Sequence, residues 1–268
     1  MQSLEQRSKV SVAARIVACL IDSARETRVS DVRIGLGYTA VRLADGRTGV
    51  AFTFRDLAEG CCSVFNGIRP LSTRPAADLL ALLESHDAIE AGVGLACANA
   101  LVTPDEAACV DGDILDHLDL RPEDRVGMVG HFEPLVDAIQ KRARSLTVFE
   151  RVDEPSGLLR PQQEAESALP GCQVALITAT SIINHTVDNL LEAARGCREV
   201  VLLGPSTPLM AEVFSGHKVT MLSGVVVKEP EAVLRVVSEG GGTRQFAPYV
   251  RKVTLKVSTR EPLLSGAP

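Results

Sequence analysis

Tryptophan is absent from this 268-residue chain, and aromatic residues make up only 3% of it. Base stacking on an aromatic platform is therefore not expected. A basic surplus is missing as well: the net charge of −6 argues against non-specific binding to nucleic acid or to an anionic membrane. No apolar run reaches the ~20 residues that span a bilayer. The first 26 residues have no clean cleavage site. Ala13, Ile16, Val17, Leu20 and Ile21 recur at helical spacing, with Asp22, Arg25 and Glu26 after them, so an amphipathic helix is the better reading. The seven cysteines form no C-x-x-C pair, and Cys61 and Cys62 are adjacent, a spacing that rarely pairs in a relaxed backbone. Free, mostly buried thiols in a reducing cytoplasm are expected.

What is present divides into two halves with different patterns. In residues 31–54, apolar and polar residues alternate on both sides of Asp45-Gly46, which predicts two or three antiparallel strands with a tight turn. Helices are predicted over 75–85 and 87–102. Gly92 and Gly94 inside the second fit close backbone packing better than ligand contact, and Asn99 is its one strongly polar residue. Residues 103–124, acidic and bracketed by prolines, read as a connection between domains.

Beyond it, Val/Ile/Leu-rich strands are predicted at 125–130, 146–150, 172–178, 199–204 and 218–227. Helices at 132–143, near 161–169 and at 182–195 separate the first four. Such alternation implies a parallel sheet covered on both faces, a Rossmann-like α/β unit. The glycine fingerprint of a dinucleotide site is missing, however: the first strand runs into Gly130 and His131.

Ligands of open α/β sheets bind beyond the carboxyl ends of the strands, where the strand order reverses. Gly130 and His131 follow the first strand, and Glu150 ends the second. Thr178, Thr180, Ser181, Asn184, His185 and Thr186 follow the third, and Gly204, Pro205, Ser206 and Thr207 the fourth. In a 3-2-1-4-5 order the first and fourth ends would flank the crevice. Thr180, Ser181 or Asn184 would also serve as a helix cap. A glycine-rich segment, Gly240, Gly241 and Gly242 before Thr243 and Arg244, offers backbone donors and a guanidinium, or simply a hinge.

The segments GHF (130–132), LTVFER (146–151), T-x-T-x-x-x-N-H-T (178–186), VVLLGPSTPL (200–209) and EGGGTR (239–244) together resemble the family described as "putative heavy-metal chelation". GVGLACANAL (92–101) resembles the domain that often precedes it. The resemblance implies a smaller α+β, enolase-N-terminal-like domain over 1–112 and a Rossmann-like α/β domain over 113–268. It further implies a ligand site in the cleft between them and a role in metal handling or in cobalamin-like cofactor metabolism.

Two readings follow. In the first, His131, Glu150 and His185 hold a transition metal (Fe, Ni, Co or Zn), or the metal arrives as a chelate gripped by Arg244 and the 204–207 turn. Asn99, Gly130, Thr178, Thr180, Asn184, Thr186, Gly204, Pro205, Ser206, Thr207, Gly241, Gly242, Thr243 and Arg244 would then contact the ligand. In the second, the chain is a metal-independent enzyme for a nucleotide-like or phosphorylated molecule, with His131 as general acid/base. Neither needs nucleic acid or a membrane. A homodimer is the default oligomer.

Overall fold

The computed structural model describes residues 10–57 and 64–257. Cys61 and Cys62 lie outside the described residues.

The first half opens with α1 (Val12–Glu26), started by Ser11, whose hydroxyl accepts from the Ala14 N–H. Val12, Ala13, Ile16, Leu20 and Ala24 are its buried stripe. Three antiparallel strands follow in the order β1 (Val29–Ile34), β2 (Tyr38–Leu43) and β3 (Thr48–Phe52). The β2–β3 turn needs Gly46 at φ +93°, the left-handed conformation that favours glycine. Next come α2 (Ala76–Leu80), extended by a 3₁₀ turn to Glu84, and α3 (Ala88–Leu101), capped by Asp87.

Helix α3 is apolar on every side and packs against β3 and β2, as an all-round hydrophobic helix must. Its glycines serve close packing. A Cβ at Gly94 would lie 2.2 Å from the Leu83 nitrogen, and one at Gly49 of β3 would lie 2.2 Å from the Ala100 nitrogen.

The second half builds one eight-stranded sheet. Its chain order is β4 (Cys109–Asp111), β5 (Arg125–Val129), α4 (Glu133–Arg142), β6 (Ser145–Glu150) and β7 (Leu159–Pro161). After them come α5 (Ala165–Ala168), β8 (Val174–Thr178), α6 (Val187–Ala193), β9 (Glu199–Leu203) and β10 (Met221–Val227). The chain closes with α7 (Pro230–Ser238), α8 (Thr243–Phe246) and β11 (Val250–Lys256). The spatial order is β4-β11-β10-β9-β8-β5-β6-β7. The six strands from β10 to β7 run parallel, and β11 and β4 add antiparallel strands at one edge. This is the expected α/β class.

Several sequence expectations need correction. The five predicted strands take the order 2-1-3-4-5 rather than 3-2-1-4-5, so the reversal lies between β5 and β8. Residues 103–124 are more than a connection, because β4 within them joins the large sheet. The helix expected over 182–195 is shorter: a 3₁₀ turn at 179–182 and a bend precede α6, and a second 3₁₀ turn closes it at 194–196. The glycine-rich segment leads into a short helix, α8, rather than an open hinge.

One hydrophobic cluster runs through both halves, from Val12 and Leu43 to Leu202 and Leu255. Polar contacts bind the same junction. The Val12 N–H donates to the Asp188 carboxylate at 3.0 Å, and Arg15 donates to the carbonyls of Val213 and Ser215. The Phe52 N–H donates to the Ser206 hydroxyl at 2.9 Å. Among the described residues, no helix is long and apolar enough to cross a membrane.

Candidate functional site

The crevice at the strand-order reversal is built from backbone bends. Gly130 after β5 and Gly204 after β9 both take positive φ, +88° and +107°. The Phe132 ring lies against both: a Cβ at Gly130 would stand 3.5 Å from it, and one at Gly204 would stand 3.6 Å from it. Thr178 closes the third side, its Cβ 3.0 Å from the Cβ that Gly130 lacks. A phenylalanine ring thus packs between the turns where a dinucleotide enzyme would lay a pyrophosphate.

The polar groups at this rim are largely spent on local structure. Glu150 accepts from the N–H groups of His131 (2.9 Å) and Arg151 (2.8 Å), tying the β5 and β6 turns together. The Thr178 hydroxyl meets that of Thr180 at 3.0 Å, and Ser181 donates to the Thr178 carbonyl. Asn184 accepts from the Thr186 hydroxyl at 2.8 Å, and no side chain caps α6 itself. Arg244 pairs with Glu133 at 2.9 Å, both side chains well exposed, so the pair contributes little. Thr243 donates to the Tyr38 hydroxyl, and Gly241 and Gly242 lead into α8 beside it.

The structure does not join the three expected metal ligands. Among the described residues, no group of three or more His, Cys, Asp or Glu side chains could hold a metal ion. His131 is exposed, and its ring has no hydrogen-bond partner among the described residues. His185 turns toward the first half: its Nε2–H donates to the Ser85 carbonyl at 2.8 Å. There its ring meets His86, with centroids 5.8 Å apart. A bare ion held by His131, Glu150 and His185 does not fit this arrangement. Both histidines follow strand ends, but the turn before α6 directs the His185 ring to Ser85 and His86.

Asn99, Ser206 and Thr207 gather instead at the junction of the halves. The Asn99 amide donates to the Val50 carbonyl (2.9 Å) on one side and to the Ser206 carbonyl (3.1 Å) on the other. Beside it is a cavity of about 100 Å³, lined by Arg47, Thr48, Asn99, Thr207 and Val225–Val227 among others. A wider groove of about 650 Å³ shares Arg47, Val102 and Leu209 with that cavity. Its apolar wall includes Leu20, Leu101, Met210 and Leu255, and its polar lining includes Cys19, Asp105, Glu212 and Lys256. A volume of this size is within the range of small-molecule sites, and the lining mixes apolar side chains with about as much polar surface.

The charges in this groove are mixed. Arg47 is held by Asp45 and by the Leu101 carbonyl, whereas Lys256 is exposed. Burial first, and the Glu212 carboxylate second, push the Cys19 thiol above its ordinary range, so a thiolate is disfavoured there. Sequence reasoning named Asn99 and Thr207 but missed Arg47, Asp105, Glu212 and Lys256. These come from four separate stretches, and only folding brings them together.

A family model described as "Putative heavy-metal chelation" matches residues 113–256, and a second model with the same description matches 17–102. An uncharacterized protein of Methanocaldococcus jannaschii is 25% identical over 187 residues, 67% of this chain and 71% of that protein. A crystal structure of a protein of unknown function from Desulfitobacterium hafniense DCB-2 has a TM-score of 0.76 at 25% identity, covering 91% of this chain and 98% of that one. Another, from Pyrococcus horikoshii, has a TM-score of 0.80 at 22% identity, covering 92% and 100%.

Proposed function

This chain belongs to the family described as "Putative heavy-metal chelation", and from that premise we propose that it binds a transition metal already held by a small anionic chelator, in the groove between its two halves. The metal is then cargo or substrate rather than a resident cofactor. The observation that carries this reading is the mixed lining of the 650 Å³ groove, where Lys256 and Arg47 share one wall system with Asp105 and Glu212. A bare anion would be repelled by the two carboxylates, and a bare cation by Lys256. A chelate carries both signs at once, and it needs no complete set of protein ligands. Asn99 and Thr207 line the smaller neighbouring cavity, which shares Arg47, Val102 and Leu209 with the groove.

Calorimetric titration with nickel–citrate, and with citrate alone, tests this. The wild type is expected to bind the chelate at least tenfold more tightly than citrate. Lys256→Glu should weaken that binding at least tenfold, because it removes the exposed cation and adds a third carboxylate. Equal affinity for chelate and chelator, or indifference to Lys256→Glu, would refute the reading.

A further inference from the structure

His86 and His185 come from different halves of the molecule, and their rings meet at 5.8 Å between centroids with planes inclined at 69°. Imidazoles that share one metal ion through nitrogens at 2.0–2.1 Å place their centroids roughly 5–6 Å apart. The observed pair already has that spacing. We propose that His86 and His185 form a two-imidazole site for a borderline divalent metal such as Ni²⁺, Cu²⁺ or Zn²⁺, bridging the two halves and separate from the groove.

Three further features support this site. The Ser85 carbonyl can only accept, so the 2.8 Å contact from His185 fixes the proton on Nε2. The Nδ1 lone pair is thereby left for a metal, and a histidine ligand held through its other nitrogen by a carbonyl is the usual outer-shell arrangement. Ser85 is itself anchored, its hydroxyl donating to Glu90 at 2.6 Å. His185 also takes φ +57°, a left-handed conformation uncommon for a residue other than glycine; such strain persists where the surroundings enforce it and gathers at functional positions. Finally, the His86 ring is exposed and His185 only half-buried, so an ion can reach them.

Two imidazoles leave the remaining coordination positions to water or to an incoming ligand. This arrangement is therefore consistent with the absence of any three-ligand group among the described residues. It also holds whether or not the groove binds a chelate, because the two sites share no lining residue.

The test uses the full-length protein in chelator-free buffer with Ni²⁺ alone, and Cu²⁺ for a spectroscopic signature. Calorimetry should find one Ni²⁺ site that His86→Ala weakens at least tenfold and His131→Ala leaves unchanged. The electron paramagnetic resonance spectrum of bound Cu²⁺ should show two nitrogen ligands in the wild type and one in His86→Ala. His185→Ala loses the Ser85 contact as well, so the exposed His86 ring is the deciding position. Unchanged Ni²⁺ affinity in His86→Ala, or a single nitrogen ligand in the wild type, would overturn the proposal. Failure of nickel–citrate binding in the groove would not bear on it.

Discussion

At the scale of single residues, Asp124 shows how a charge is kept inside this fold. It is fully buried and accepts from Arg198 at 2.9 and 2.8 Å and from the Arg121 N–H at 2.8 Å. The Arg198 hydrogen bonds, opposed in part by burial, hold its carboxyl below the usual carboxylate range. Arg198 is itself 28% exposed and Asp124 keeps the Arg121 N–H, so Arg198→Ala should cost about 1.5–3 kcal/mol, read as a lower urea midpoint. Because the folded pKa is depressed, the pair's contribution is present above the unfolded value of about 4 and fades as pH falls through the folded one. Urea midpoints measured from pH 7 downward should therefore drop less steeply below pH 4 in Arg198→Ala than in the wild type. Nothing in the sequence pairs residues 74 positions apart. The same limit applied at the rim: residue types near His131, Glu150 and His185 were legible, but the Ser85 and His86 partners of His185 were not.

At the scale of elements, periodicity was informative wherever one face meets water. Helix α1 and the hairpin around Gly46 were readable because their buried stripe and turn chemistry are local. Strand β4 was not readable, since three residues in an acidic stretch carry no alternation to detect. The fate of 182–195 has a similar cause: its apolar stripe continues through a 3₁₀ turn and a bend that have the same polarity as a helix. Helix α3 depends on missing atoms as much as on present ones. Gly94 lets the Leu83 backbone approach where a Cβ would stand only 2.2 Å away. Gly94→Ala should gain helix propensity yet lose about 1–3 kcal/mol or more overall through overpacking. Thermal unfolding should thus show a lower midpoint, and a rise would contradict this account of the packing.

At the scale of the whole molecule, a parallel sheet was foreseeable from alternating strands and helices, whereas its strand order was not. Apolar strands buried on both faces carry no label for their neighbours, so the reversal point moved from the expected place to the β5–β8 boundary. The two halves also share one hydrophobic cluster and a set of polar contacts. The groove at their junction is therefore walled by elements that hold each other in place, and preorganised walls favour binding. Its lining draws on α1, the β2–β3 turn, the end of α3, the stretch after β9 and the end of β11. A chelated metal bound in this space would be visible by anomalous diffraction from crystals grown with nickel–citrate. The account predicts a nickel peak in the groove, with the citrate carboxylates facing Lys256 and Arg47. A groove holding only ordered water at saturating nickel–citrate would contradict it.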